Sequence, residues 1–281
     1  MTSTRQDPDS SVAPVAEGPL IVAAGVETRV GSKQLIGPLD FTLNAGELVV
    51  LLGPNGAGKS TLLTALAGDH RTAGDLEICG HPSHRSTLMQ LARQRAVLPQ
   101  NPTISFPFRV HEVVAMGRTP WDKTSDLDDA EVIESAMEAT EVVHLRDRVV
   151  SSLSGGEQAR VAVARIFAQR TPIILMDEPT AAMDLRHQER TFDHLRELCD
   201  DGAGVVVVVH DLGIAGAHAD RILVMDQGLI AIAGTPENPL DTAVLSEVYR
   251  HRIDVIESPD LAYPLLVPFR RVRRGSQQEA P

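Results

Sequence analysis

No apolar stretch in this sequence is long enough to cross a bilayer. The longest candidates, Leu48-Val49-Val50-Leu51-Leu52 and the five valines 205–209, fall far short of the ~20 residues a membrane helix needs, so the chain is not expected to span a membrane by itself. Cysteine is scarce: Cys79 and Cys199 lie far apart without metal-ligand spacing, which removes a disulfide framework or zinc knuckle and leaves free buried thiols in a reducing compartment. Positive charge is outnumbered, 26 Lys and Arg against 38 Asp and Glu for a net −12, and this disfavours broad nucleic-acid binding, which needs a positive field against phosphates. Residues 1–19 have no apolar central region, so a secretory signal is not expected and a disordered tail is.

What remains is an ordinary globular composition. With 281 residues, 43% hydrophobic and 23% charged, the chain can bury the core of one large domain or two small ones. The stretch Gly53-Pro54-Asn55-Gly56-Ala57-Gly58-Lys59-Ser60 follows the apolar run 48–52 and precedes Thr61-Leu62-Leu63-Thr64-Ala65-Leu66-Ala67. It therefore reads as buried strand, glycine loop and helix start, a phosphate cradle. Glycines bring backbone N–H groups close to phosphate oxygens, and the helix N-terminus adds partial positive charge. In such a cradle Lys59 reaches the β- and γ-phosphates and the Ser60 hydroxyl binds Mg²⁺.

Around this loop the periodicity predicts short strands of a small antiparallel sheet over 20–43, another strand over 74–80 and one from Arg95 that ends at Pro99, with Gln100 just past it. Residues 101–151 change texture, with prolines, a short helix near 110–117 and a better one over 127–143. The latter puts Val132, Ile133, Ala136, Met137 and Thr140 on one face and crowds Asp126, Asp128, Asp129 and Glu131 at its start, where carboxylates oppose the helix dipole favourably. The acidic run reads as a solvated face, and His81 and His84 as a solvated turn without the further ligands zinc requires. A helix over 155–169, with Val161, Ala164 and Ala168 on one side, leads to a strand over 173–176. A helix over 186–198 leads to the valine strand, then come strands over 221–225 and 229–233, a helix over 242–249 and an extended piece at 253–257. Arg270, Arg271, Arg273 and Arg274 read as part of a frayed end rather than a lipid contact.

Hydrolysis of a nucleotide needs a carboxylate for the metal, a base for water and a sensor for the γ-phosphate. Asp177 and Glu178 end the strand 173–176 at its carboxyl edge, where open α/β sheets bind ligands; Asp177 suits the metal and Glu178 the water. His210 ends the valine strand in the same way. A second small-residue turn, Leu153-Ser154-Gly155-Gly156-Glu157-Gln158, opens a helix and is a second potential phosphate binder. One nucleotide does not need two such sites on one side. In a head-to-tail pair, Ser154 and Gly156 of one copy would close over the γ-phosphate held by Lys59 of the other.

These residues, in this order, resemble the nucleotide-binding domain of ABC transporters over roughly residues 20–250. The correspondence runs through a Walker A at 53–60, a Q-loop at Gln100, an LSGGE signature at 153–157, a Walker B at 173–178, a D-loop Ala181-Ala182-Met183-Asp184 and a switch histidine, His210. The resemblance implies an α/β P-loop NTPase fold: a RecA-like core over 20–100 and 152–258 that includes a small antiparallel β subdomain, an inserted helical subdomain over 101–151, and tails at 1–19 and 259–281. It implies ATP binding by Gly53, Pro54, Asn55, Gly56, Ala57, Gly58, Lys59, Ser60 and Thr61, and Mg²⁺ held by Ser60, Gln100 and Asp177. Catalysis falls to Glu178 with His210 and Gln100, while Leu153, Ser154, Gly155, Gly156 and Glu157 act across a homodimer and Asp184 is the D-loop residue. One element departs from the pattern: where such domains stack adenine on an aromatic residue, this chain has Val30-Gly31 and no aromatic between Leu20 and Asp40.

Arg95-Ala96-Val97-Leu98-Pro99-Gln100, Phe106-Pro107-Phe108-Arg109-Val110 and Val113-Val114-Ala115-Met116-Gly117-Arg118 are similar to the ATPase subunits of bacterial haemin importers, with ferric-siderophore and cobalamin importers as relatives. That resemblance implies a peripheral subunit on the cytoplasmic face of the membrane, docked on separate permease subunits. It also implies an extracytoplasmic haem-binding protein in the full system and no direct contact with cargo or nucleic acid. The Phe106–Phe108 knuckle is placed to receive a permease helix. The rival, a soluble ABC-type ATPase acting on nucleic acid or ribosomes, resembles tandem cassettes or cassettes split by coiled coils, and this chain has one signature and no heptad array. A small-molecule kinase would leave residues 153–158 without a purpose.

Overall fold

Three strands with no polar face set the architecture. In the computed structural model, which describes residues 18–70, 72–100, 106–121, 128–235, 238, 240–256 and 265–269, β3 (Leu48–Leu52), β7 (Ile173–Asp177) and β8 (Gly204–Val208) are buried at every position. Only a sheet covered on both faces accommodates such runs. The flanking elements, in chain order, are β1 (Ile21–Val30), β2 (Lys33–Leu43), α1 (Lys59–Leu66), β4 (Ala73–Ile78), β5 (His81–Pro82), α2 (Leu88–Gln94), β6 (Arg95–Leu98), α3 (Val110–Ala115), α4 (Asp129–Ala139), α5 (Gly155–Gln169) and α6 (Leu185–Asp200). After β8 come α7 (Leu212–His218), β9 (Arg221–Asp226), β10 (Leu229–Gly234), α8 (Thr242–Val248), β11 (Ile253–Ile256) and β12 (Leu265–Pro268).

The main sheet has the order β10-β9-β3-β8-β7-β6. All neighbours run parallel except the terminal hairpin β9–β10. Side-chain alternation divides the strands between two cores. Leu48, Val50, Leu52, Val205, Val207, Ile174 and Met176 face a core shared with α5, α6 and the helical insertion. Val49, Leu51, Val206, Val208, Ile173 and Leu175 face a second core formed with α1 and the antiparallel sheet β2-β1-β4-β5.

The insertion is helical as expected, with α3 and α4 packed on α5. Its two ends are pinned by a bridge between Arg109 and Val149 and by Val150 N–H donating to the Phe108 carbonyl. α4 ends earlier than the 127–143 pattern predicts, because Thr140 leaves the helix and Glu141 turns left-handed at φ 53°; the expected Asp126 lies outside the described residues. α5 is buried nearly all round rather than on one side, since it is wedged between the insertion and the sheet.

Two helices escaped the sequence pattern, α2 and α7, and so did β12, which pairs antiparallel with β11. Residues 265–268 are therefore strand, not frayed tail. The N-terminal tail and the four tail arginines lie outside the described residues. Both thiols are free, Cys199 buried and Cys79 half-buried; burial pushes them up to about 12 and about 11.

Candidate nucleotide site

The sheet order brings the chemistry together. Neighbouring strands β3, β8, β7 and β6 all point their carboxyl ends the same way, so the glycine loop, His210, Asp177 with Glu178, and Gln100 share one edge. A cavity of about 530 Å³ lies there, lined by Asn55, Gly56, Ala57, Gly58, Lys59, Ser60 and Thr61 with Leu35, Gln100, Glu178 and His210.

The glycine loop leads into α1 through Gly58, which is left-handed at φ 103° and would place a Cβ 2.9 Å from the Ile36 side chain. Only glycine suits that corner. The start of α1 has no side-chain cap and no acidic residue in its first turn, so its amides are open to an anion. Lys59 is buried and donates to the carbonyls of Gly53 at 2.7 Å and Pro54 at 3.1 Å. Burial lowers its affinity for its proton, opposed by the carboxylates of Glu178 and Asp177.

Asp177 is also buried, and its Oδ1 has no hydrogen-bond partner. Burial pushes this carboxyl up; the Ser60 hydroxyl beside it pulls down, Glu178 pushes up, and Lys59 and His210 pull down. An orphaned carboxylate oxygen next to a serine hydroxyl is a donor set that fits a hard divalent cation. Glu178 follows in the left-handed region at φ 51°, unusual for a side-chain-bearing residue and a form of strain found at functional sites. Its Oε1 is 2.6 Å from His210 Nε2. A second cavity, of about 620 Å³, is lined by Gln100, Asp177 and Glu178 and continues to Val150, Gly155, Gln158 and Ala182. Gln100 and Glu178 thus face both spaces.

Residues 153–157, expected from the sequence as the signature, do not line the glycine-loop cavity. Ser154 caps α5 and is locked in a capping box: its amide and hydroxyl donate to Glu157 Oε2 at 2.7 and 2.8 Å, and the Glu157 amide returns to Ser154 Oγ at 3.4 Å. Leu153 is buried, Gly155 faces open space, and a Cβ on Gly156 would come within 2.9 Å of the Ala182 carbonyl. That close approach seats α5 on the segment 181–184. Asp184 caps α6 and binds the His187 ring at 2.7 Å.

Two residues near the cradle escaped the sequence reading. Leu35 reaches the cavity because β2 folds over the loop. Burial pushes the Tyr249 phenol up, opposed by its hydrogen bond with the Gly53 backbone, a contact that no local pattern announces. At the position where an aromatic was missing, Val30 is 66% exposed.

The ABC transporter family pattern matches residues 36–181 of this chain. The chain belongs to the ABC transporter family. As an ABC-type ATPase it binds and hydrolyses ATP on a P-loop NTPase fold. It is 50% identical over 250 residues to the hemin import ATP-binding protein HmuV of Nocardia farcinica, covering 87% of each chain. With the protein of the same name from Streptomyces coelicolor it shares 47% over 261 residues, covering 92% of this chain and 93% of the relative. Among solved structures, a dimeric post-hydrolysis state of the ATP-binding cassette MJ0796 bound to ADP and Pi superposes with a TM-score of 0.68 at 25% identity, over 76% of this chain and 98% of that one. An ATP binding subunit of an ABC transporter reaches a TM-score of 0.75 at 19% identity, over 82% and 99%, and shares the fold.

Proposed function

We propose that this ABC ATPase powers haemin import from the cytoplasmic face of the membrane, as a homodimer docked on separate permease subunits that receive cargo from an extracytoplasmic haem-binding protein. The observation that carries the cargo is the 50% identity, over 87% of both chains, to a hemin import ATP-binding protein. No helix among the described residues is long and apolar enough to cross a membrane, in keeping with a permease on a separate chain. An exposed apolar patch suits that permease: Phe106 and Phe108 stand edge to face at 6.1 Å, both exposed, and contiguous exposed apolar surface marks an interaction site.

In this reading the open amides of α1 and the Lys59 ammonium hold the β- and γ-phosphates. Ser60, Asp177 and Gln100 would hold Mg²⁺, which supplies charge neutralisation on the transferring phosphoryl group. Glu178 accepts the proton of the attacking water, and His210, hydrogen-bonded to it, orients the carboxylate. Ser154 and Gly156 of the partner copy close the other side, with Asp184 at the seam. Gln100, between the two cavities, passes the state of the phosphate to the helical insertion and so to the permease.

The test is ATP turnover by the subunit reconstituted with its permease in vesicles, with haem-loaded, ferric-siderophore-loaded and cobalamin-loaded binding proteins compared in parallel. Stimulation by the haem-loaded protein alone is expected. Stimulation by another ligand replaces the cargo, and an active ATPase that pairs with no permease overturns the transport role.

A further inference from the structure

A carboxylate at the C-terminus of a helix opposes the helix dipole and needs compensation. Glu141, just past the end of α4, has it in abundance. Arg186 Nη2 donates to its Oε1 at 2.5 Å, and Arg190 Nη1 stands 3.5 Å from the same oxygen. Arg190 also donates to the carbonyl of Ala139 at 3.0 Å, and Arg160, buried on α5, donates to the carbonyl of Glu141 at 2.7 Å. His187 bridges two carboxylates: its Nε2 is 3.4 Å from Glu141 Oε2 and its Nδ1 is 2.7 Å from Asp184 Oδ1. Burial pushes the Glu141 carboxyl up, but Arg186, Arg190 and His187 outweigh it and hold it below its ordinary value.

This node joins two parts of the cassette. Glu141 belongs to the insertion that carries the exposed phenylalanines; Arg186, His187 and Arg190 are the first turns of α6, which Asp184 caps. Asp184 therefore contacts the insertion through His187, while the other side of the same short loop, the Ala182 carbonyl, is met by Gly156.

We infer that Glu141 is a positioning residue for the D-loop: through His187 and the start of α6 it fixes Asp184, so that the insertion and the D-loop move together. This rests on the assignment of Asp184 to the seam of the dimer. A positioning role predicts an effect on turnover without an effect on nucleotide affinity, because nothing in the node faces the glycine-loop cavity.

The experiment is amide hydrogen exchange of the nucleotide-free subunit, alongside steady-state ATP turnover, for wild type, Glu141→Gln, Arg186→Gln and the double variant. In Glu141→Gln the amides of residues 183–187 are expected to exchange about fivefold faster, those of 53–61 and of β3 and β8 to be unchanged, and kcat to fall about fivefold at constant KM, the scale of a modest coupling between sites. Arg186→Gln reproduces the pattern, and the double variant adds little to either. Wild-type exchange at 183–187 in both single variants overturns the inference, as does faster exchange spread over β3 and β8. Faster exchange at 183–187 with kcat left at the wild-type value would defeat the assignment of Asp184 to the dimer seam instead, and the exchange itself would still decide the role of Glu141.

Discussion

Two helix starts in this cassette are built from similar small residues and stand in opposite electrostatic states. α1 begins at Gly58 with no side-chain cap and no carboxylate in its first turn. α5 begins at Ser154 with a closed capping box and Glu157 in its first turn. The first start leaves its amides to an anion, whereas at the second a carboxylate of the chain itself already takes the Ser154 amide and hydroxyl. A phosphate meeting Ser154 must displace the Glu157 carboxylate, which Ser154 and the nearby Arg148 and Arg160 hold ionised, below its usual range. In the proposed dimer the start of α1 would be a finished half-site, and the start of α5 a reserve that becomes useful only when a partner's nucleotide is brought to it.

The largest expected effect attacks the finished half. Lys59→Ala removes the buried cation, and nucleotide affinity, measured by titrating a fluorescent ATP analogue, should fall by about 2–5 kcal/mol, the cost of leaving its charge partners unmatched; unchanged affinity would remove the cradle assignment. Next comes the reserve. Ser154→Ala should leave that affinity intact while turnover falls about 100-fold, as when a donor to transition-state charge is lost, and a urea melt should separately show about 1 kcal/mol lost with the cap. A drop in binding to the single chain would erase the contrast between the two helix starts. The smallest effect concerns Asp177. Its carboxyl is raised in the folded state above the ordinary 3.8, so the folded protein holds that proton more tightly than the unfolded chain. The associated stability is full below about 3.8 and is lost as pH rises through the folded value. Asp177→Asn should therefore stabilise the nucleotide-free protein at neutral pH by about 1–2 kcal/mol, the scale of an unsatisfied buried polar group, and flatten this part of the pH profile.

How far the fold could be read from sequence followed from burial. β3, β7 and β8 were legible because both their faces are covered, which leaves uninterrupted apolar runs. α7 was not, because Gly213 and Gly216 interrupt a seven-residue helix, and each glycine weakens the helical signal. α2 did carry a signal, the Thr87 and Gln90 capping box, overshadowed by the polar turn before it. β12 was hidden because its pairing with β11 is tertiary and because Pro264 and Pro268 bound a run of only three apolar residues, and proline within a run argues against a strand. For the site, the residues at strand ends could be placed by the rule that ligands gather at carboxyl edges. Contacts that cross the fold, namely Leu35 over the loop, Tyr249 on Gly53 and Glu141 on α6, have no local pattern and emerged only from the packing.

The contrast between the two helix starts makes one claim above the others: each working site is shared between copies. The direct measurement mixes two inactive subunits, Lys59→Ala and Ser154→Ala, and follows ATP turnover as their ratio varies. In a head-to-tail pair the Lys59 of one and the Ser154 of the other rebuild one intact site, so an equal mixture should recover up to about a quarter of wild-type turnover if pairing is random. Turnover that stays at the sum of the two inactive subunits at every ratio, although mixed dimers form, would contradict the shared site.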